Sequence, residues 1–490
     1  MTATPTARTA LRRTELLCLA LGALVAFLVH WHFRLTGFGE QDAGRLASDA
    51  INWHFEGLID VTKVDYRLHT SPLYIHTLKL ALDHGLRIRN LPSVMNGASV
   101  FLSSACLVGL YLLFRRWATR AVAGAATVVY SLTPAFWLGS VYGMPTLPAL
   151  TFLVFSALAF GAAVDLRTLK SPRFFGFIAL SALLACVAFS LKADMALSSG
   201  VLLTVLVARG RWRPVLLAFI VLIVAVGTLF TVVYARSLAA PVAAAAVKDT
   251  HAVSGFLASW NGRFPFSWDL LIDAKNNAPI SHAAGTLLFA VCLLALLSGV
   301  VSGGARARLT LAAAAWGLPP LLFWGLKPGN SARHNLPAFP ALVFLAVGLV
   351  FQLVHDNTKR ACLLLLALFA LGQLDETGIG SVTPRVNVLK ATEQVEHSTS
   401  ALHLRAREFV SSPSPKKALI ETEYLLSYSE FEAWAAAKAP ALRAAPKTIL
   451  DGSERETRVL VVGNNARAAK ALAQRLQSEG YEVFSLQFSL

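Results

Sequence analysis

The stretch GFGEQDAGRLASDAINWHFEG, residues 37–57, decides how the rest of this chain is interpreted. It is polar, and it follows directly on a long apolar run. Its polar residues recur at spacings of three and four: Asp42, Arg45, Asp49, Asn52 and Glu56. Helical spacing places them on one face and puts Leu46, Ala50 and Trp53 on an adjoining apolar stripe. The pattern predicts an amphipathic helix that lies at a membrane surface.

A second surface helix is predicted in YRLHTSPLYIHTLKLAL, residues 66–82. Ser71 is suited to cap this helix, and Pro72 fits its first turn. Three polar residues share one face, opposed by Leu78 and Leu82: His76, Lys79 and Asp83. The two helices together would cover one end of a membrane bundle.

The composition is that of a polytopic membrane protein. Of the 490 residues, 55% are hydrophobic and 15% are charged, and the mean hydropathy is +0.57, whereas soluble chains carry about 25% charged residues. Apolar runs of about 20 residues are long enough to cross a hydrocarbon core of about 30 Å. About eleven spans are predicted on this basis: 15–35, 93–114, 121–141, 145–163, 174–191, 195–208, 214–235, 283–302, 309–326, 336–354 and 361–374.

Basic residues cluster in alternate short loops, for example at Arg115, Arg116 and Arg120 and again at Arg209, Arg211 and Arg213. The positive-inside rule then predicts a multi-pass protein of the cytoplasmic (inner) membrane, with the N-terminus cytoplasmic and the C-terminal region outside. Much of the net charge of +16 is explained in this way. The lipid bilayer is therefore an expected partner, and nucleic acid is not.

The chain divides into two parts. Residues 1–374 form the predicted all-α transmembrane bundle, with a first outer loop at 36–92 and a second at 236–282. The remainder, 375–490, contains TRVLVVGNNARAAKALAQRLQSEGYEVFSLQF (457–488), which predicts strand, turn, helix and strand in a small extracytoplasmic α/β domain. This stretch lacks the second and third glycines of a dinucleotide fingerprint, so no cofactor is expected.

Five motifs in order carry a family resemblance: DAGRLA (42–47), HTSPLYIHTLKLAL (69–82), NLPSV (90–94), SLTPAFWLGSVYG (131–143) and SARHNLPAFPALVFL (331–345). This set, within about residues 15–355, resembles the GT-C superfamily of lipid-dependent glycosyltransferases, whose members include protein O-mannosyltransferases and aminoarabinose transferases. The resemblance implies a helical bundle that transfers a sugar from a polyprenyl phosphate to an acceptor lipid, glycan or protein.

The resemblance also implies roles for particular residues. It places the essential aspartate of the family on Asp42, where a carboxylate accepts the proton of an attacking acceptor. The departing lipid phosphate needs cations, and the candidates are Arg333, Arg45, His334, Lys192 and Lys327. Arg333 ranks first because it matches the family's arginine; for Lys192 and Lys327, an interfacial anchoring role is the favoured alternative. The candidates for positioning the acceptor or the loop are Asp49, His69 and Tyr74.

The chain departs from the family pattern at five places, one of which is YGMPTLP (142–148), where many relatives carry an acidic residue and this chain has none. Ala43 stands where relatives carry a second carboxylate, and Thr70, Ser71 and Asn90 replace a basic residue, a proline and an arginine. Since a metal site needs several convergent hard ligands, no required metal is expected.

Two other functions remain open from the sequence. A transporter or flippase for lipid-linked glycans would share the apolar bundle, but the spans 214–235 and 283–302 carry essentially no charged residues in their middles, which does not support a path across the bilayer. A catalytically inactive scaffold of the same fold is the second alternative.

Overall fold

The fold is described from a computed structural model. The structure describes residues 13–32, 34, 43, 46–47, 50, 71–86, 90–141, 143–166, 171–202, 217, 220–229, 293–299, 301, 303–326, 336–361, 363, 417–421, 458–463, 474, 477–478 and 482–487. The principal helices in these ranges are α1 (Arg13–His32), α2 (Pro72–Asp83), α3 (Leu91–Arg115), α4 (Arg120–Ser131), α5 (Pro134–Val141), α6 (Thr146–Val164), α7 (Pro172–Leu191), α8 (Gly304–Leu326) and α9 (Phe339–Leu353). A 3₁₀ helix, Ala193–Ser198, follows α7.

Five of the described helices are long and apolar enough to cross a membrane: Thr14–His32, Leu91–Arg115, Thr146–Val164, Pro172–Leu191 and Leu336–Leu353. Each coincides with a predicted span, so the predicted polytopic helical bundle is confirmed. The predicted spans 195–208, 214–235, 283–302 and 361–374 lie partly outside the described residues, and the total of about eleven stays a prediction.

One predicted span, 121–141, is wrong as a single helix. The structure divides it into α4 and α5, because Pro134 has no N–H and disfavours helical backbone at Thr133. At this break, the Thr133 hydroxyl donates a hydrogen bond to the Tyr130 carbonyl at 2.7 Å and accepts one from the Phe136 amide at 3.3 Å. With 12 residues at about 1.5 Å each, α4 alone is too short to cross the bilayer.

The core lies between α3 and the helices around it. Helix α3 packs against α1, α4, α5 and α6, and α6 packs along α7. Phe114 on α3 stacks on Phe344 of α9 with ring centroids 4.7 Å apart, next to the buried Trp316 of α8. Gly200, just after the 3₁₀ helix, allows a close approach to α8, since a Cβ there would lie 1.8 Å from the Ala315 carbonyl oxygen.

Helix α1 turns most of its surface outward, as expected for a span that borders lipid. Only 11% of its membrane-length window is buried. Among the α1 side chains whose burial is described, His30 alone is buried, with its ring 5.5 Å from that of Phe136. At the other end of α1, Glu15 accepts hydrogen bonds from Tyr111 at 2.5 Å and Arg115 at 2.9 Å, and it pairs with Arg120 at 2.8 Å.

The C-terminal region contributes a parallel sheet of three described strands. β1 (Lys417–Glu421), β2 (Arg458–Gly463) and β3 (Glu482–Gln487) are ordered β1-β2-β3. β2 and β3 occur where strands are predicted. Most of the predicted domain 375–490 lies outside the described residues, so its extent stays a prediction.

Candidate active site at one end of the bundle

Helix α2 is amphipathic, as predicted. It begins at Pro72 and buries Leu78 and Leu82, which are 5% and 4% exposed. Lys79 and Asp83 form an ion pair on its polar face. The predicted capping by Ser71 is wrong for the side chain: the residue occupies the cap position, but its hydroxyl makes no capping hydrogen bond.

Tyr74 attaches α2 to a turn that follows α5. Its side chain is buried, and its hydroxyl donates a 2.7 Å hydrogen bond to the Gly143 carbonyl oxygen. Burial raises the pKa of the Tyr74 hydroxyl well above its usual range, so the group stays protonated and acts as a donor. This contact is what a loop-positioning residue would make, and the predicted role of Tyr74 itself stays a prediction.

The turn at Gly143 and Met144 rests on the first turns of α3. The Ser99 hydroxyl donates to the Met144 carbonyl at 3.3 Å. A Cβ at Gly143 would lie 2.6 Å from the Met95 Cβ, so only glycine fits this approach without a shift of the neighbouring atoms. The turn is therefore held from two sides, by α2 and by α3.

The segment that contains the predicted donor-binding residues ends against α5. Leu336 is 4% exposed, and its Cδ1 lies 2.7 Å from the position of a Cβ built on Gly139. Gly139 and the Gly143 turn are neighbours in sequence, so Leu336 and Tyr74 both contact this short part of the chain. Arg333, His334 and Lys327 lie outside the described residues.

The first outer loop contributes four buried helical residues: Ala43, Leu46, Ala47 and Ala50. All are between 0% and 3% exposed, and their spacing of three and four residues is that of one helical face. The predicted apolar stripe is thus confirmed at Leu46 and Ala50. The predicted site residues Asp42, Arg45, Asp49 and His69 lie outside the described residues.

Lys192 lies at the C-terminal end of α7, where the backbone becomes extended at φ −156° and ψ 109°. The residue is 8% exposed, and its Nζ lies 3.5 Å from the Asp194 Oδ2. Helix α7 packs against α2, and the 3₁₀ helix packs against α6, which begins just after the Gly143 turn. We call this part of the bundle the α2 end. It consists of α2, the turn at Gly143 and Met144, and Lys192.

Asp194 was not predicted from the sequence as a site residue. The available signal was weak: a carboxylate two positions after a lysine at the end of a span. Within the described residues, no three His, Cys, Asp or Glu side chains are grouped so as to hold a metal ion.

The described helices form a polytopic membrane fold that is shared with solved structures. Two solved structures of ArnT from Cupriavidus metallidurans are similar to it. The ArnT structure bound to undecaprenyl phosphate has a TM-score of 0.56 at 15% identity, over 96% of this chain and 90% of that chain. The apo ArnT structure has a TM-score of 0.51 at 16% identity, over 95% and 88%. The resemblance drawn from the motifs is thereby confirmed at the level of the fold.

No protein-family profile and no curated protein sequence matches the chain.

Proposed function

We propose that this chain is an integral membrane glycosyltransferase. It transfers a sugar from a polyprenyl phosphate to an envelope lipid, glycan or protein at the outer face of the cytoplasmic membrane, with Asp42 as general base. The proposal is carried by one observation: two segments near predicted site residues meet the same short stretch of chain, α2 through the Tyr74 bond to Gly143 and the other segment through Leu336 at Gly139.

The first of these segments is the outer loop that contains Asp42. Its helix α2 reaches the turn through the hydrogen bond from Tyr74 to Gly143. Asp42 itself is bonded to Ala43, which is 0% exposed and belongs to the buried core. The buried Ala43 holds this part of the loop against the bundle, which supports a role for Asp42 there.

The second segment contains Arg333, three residues before Leu336. Three residues span at most about 11 Å between Cα atoms, and Leu336 contacts Gly139 on α5. This short separation from Leu336 supports a role for Arg333 at the α2 end. The buried Lys192 adds a cation at the same end.

These residue types suit the transfer reaction. An acceptor oxygen or nitrogen forms a bond to the anomeric carbon, the bond from that carbon to the phosphate oxygen breaks, and the phosphate leaves with the electron pair. Asp42 takes the acceptor proton, and Arg333 and Lys192 balance the charge that develops on the phosphate. An apolar surrounding strengthens both effects by lowering the local dielectric.

The donor class is supported by the ArnT structure of the same fold, which is bound to undecaprenyl phosphate. It is supported further by the five membrane-length helices, since a bundle of this length would bring one of its ends to the bilayer surface, where a polyprenyl phosphate would lie. The proposed acceptor is an envelope lipid, glycan or protein.

The test is mass spectrometry of envelope lipids and glycans from three strains that differ only in this gene: intact, deleted and Asp42→Asn. We expect one glycosylated species to disappear in the deletion and in Asp42→Asn, because general-base catalysis contributes about 10²–10⁴-fold. Asp83→Asn, an exposed carboxylate change on α2, is the matched control and should retain the product.

Two results would overturn the proposal. An unchanged set of glycosylated species in the deletion strain would indicate an inactive scaffold. A changed distribution of a lipid-linked glycan between the two leaflets, with no change in its acceptors, would indicate a flippase.

A further inference from the structure

We propose that Asp194 is a positioning residue, which holds the Lys192 ammonium group where it binds the phosphate of the polyprenyl donor. This inference rests on the proposed function and extends it to a residue that has had no assigned role.

Lys192 is buried, which is unusual for a lysine that only anchors a protein at the membrane interface. A lysine that anchors a protein at the membrane interface keeps its ammonium group in water while its stem lies along apolar surface. The Lys192 side chain is only 10% exposed. Because a buried ammonium group loses hydration that must be compensated by a partner, the anchoring role favoured from the sequence does not fit this residue.

The backbone brings Asp194 close to Lys192. Helix α7 ends with the Lys192 amide donating to Ala188 at 3.0 Å. The chain then tightens into the 3₁₀ helix, where the Met195 amide donates to the Lys192 carbonyl at 3.1 Å. This tight turn returns the Asp194 carboxylate, whose side chain is 16% exposed, to the Lys192 ammonium group.

The ion pair between Lys192 and Asp194 is longer than a hydrogen bond. The separation of 3.5 Å between Lys192 Nζ and Asp194 Oδ2 is within the range of an ion pair but beyond the usual 2.7–3.2 Å of an N–H···O hydrogen bond. An ammonium group has three N–H donors. Asp194 can thus fix the position of the charge without accepting a hydrogen bond of usual length from it, so that an anion with several oxygens, such as a phosphate, can accept from the ammonium group.

The Lys192–Asp194 pair lies where several elements of the bundle meet. Helix α7 contacts α2, and the 3₁₀ helix contacts both α6 and α8. These contacts pack the Lys192–Asp194 pair into the bundle at the α2 end, where a polyprenyl phosphate would enter from the bilayer. A cation packed in this way binds a phosphate with a smaller loss of side-chain freedom.

The experiment is a steady-state analysis of the purified full-length protein with a polyprenyl-phosphate-linked sugar as the varied substrate. For Asp194→Asn, we expect the donor KM to rise about tenfold, the loss of roughly one charge-assisted hydrogen bond, and kcat to fall as well, because Lys192 also balances the charge that develops on the leaving phosphate. Asp194→Glu retains the carboxylate and should restore the donor KM largely. Asp83→Asn, which breaks the surface pair with Lys79, is the matched control and should leave both constants unchanged.

If the role of Asp194 were purely structural, Asp194→Asn would have a lower melting temperature and an unchanged donor KM. That result would overturn the inference. If Asp194→Asn does not fold, the double variant Lys192→Met with Asp194→Asn removes both charges and leaves neither uncompensated. A donor KM of the double variant equal to that of the native protein would also reject the inference.

The two proposals fail differently. If the native protein transfers no sugar, the proposed function is wrong. If the native protein transfers sugar and Asp194→Asn has an unchanged donor KM, the role of Asp194 alone is wrong.

Discussion

The Tyr74 hydroxyl donates a 2.7 Å hydrogen bond to the Gly143 carbonyl oxygen, and it joins residues 69 positions apart. One partner belongs to the surface helix of the first outer loop, and the other belongs to the turn after a broken membrane helix. Both groups are buried. A displacement of α2 would therefore displace this turn, and the reverse also holds.

Tyr74→Phe should destabilise the protein by about 1–3 kcal/mol, because it leaves the buried Gly143 carbonyl without its donor. We expect a lower melting temperature in detergent and slower sugar transfer. Thr77→Val on the same helix is the control, since the Thr77 hydroxyl donates only locally, to the Tyr74 carbonyl. Equal melting temperatures for Tyr74→Phe and the native protein would contradict this prediction.

Arg333→Ala should mainly weaken use of the lipid donor. Removal of a charge-assisted contact to phosphate predicts a donor KM about 10- to 100-fold higher, measured from initial rates at varied donor concentration. Arg34→Ala is the matched control, because Arg34 lies over the Trp31 ring at 3.9 Å and has no predicted donor contact. An unchanged donor KM in Arg333→Ala would exclude its phosphate role.

Sugar transfer should continue at an unchanged rate after full chelation of divalent metals. The reason is the alanine at position 43, which removes the second carboxylate that a metal would need beside Asp42. The measurement compares initial rates with a chelator, without it, and after Mg²⁺ or Mn²⁺ is restored. Loss of activity that the added metal reverses would show that other ligands hold a required ion.

Gly200→Ala should destabilise the bundle. The added Cβ would lie 1.8 Å from the Ala315 carbonyl oxygen, and overpacking of this kind costs about 1–3 kcal/mol as backbones shift. Gly176→Ala is the control: it lies on α7 with nothing within 4 Å of its Cβ position, and it should be neutral or slightly stabilising. Thermal unfolding of both variants in the same detergent makes the comparison, and similar melting temperatures would contradict the tight approach.

Tyr130→Phe should be nearly neutral or stabilising, in contrast to Tyr74→Phe. The Tyr130 hydroxyl is fully buried and has no hydrogen-bond partner in the described part of the chain, so its removal costs little. A loss of stability comparable to that of Tyr74→Phe would indicate instead that a bound water satisfies this hydroxyl.

Local patterns were sufficient to predict much of this fold. The buried Leu46 and Ala50, the start of α2 at Pro72 and the five membrane-length helices all follow from periodicity, proline chemistry and hydropathy. Each of these signals is contained within about one helix of sequence, and for that reason a single sequence carries them.

The features that the sequence did not predict depend on tertiary contacts or on small energetic differences. The break at Thr133 lies within an apolar run, where hydropathy outweighs one proline. The contact between Tyr74 and Gly143 joins distant parts of the chain. The burial of Lys192 depends on how α7 ends against its neighbours, and a surface anchor would have the same sequence.

The ion-pair network of Glu15 has a consequence for biosynthesis. Glu15 precedes its partner Arg115 by 100 residues. A ribosome adds about 5–20 residues per second. Roughly 5–20 s therefore pass between the synthesis of Glu15 and the synthesis of Arg115. During that interval the first span contains an acidic residue without Arg115 beside it. Synthesis of α3 is thus the step at which α1 can first form its Glu15 contacts with the rest of the bundle.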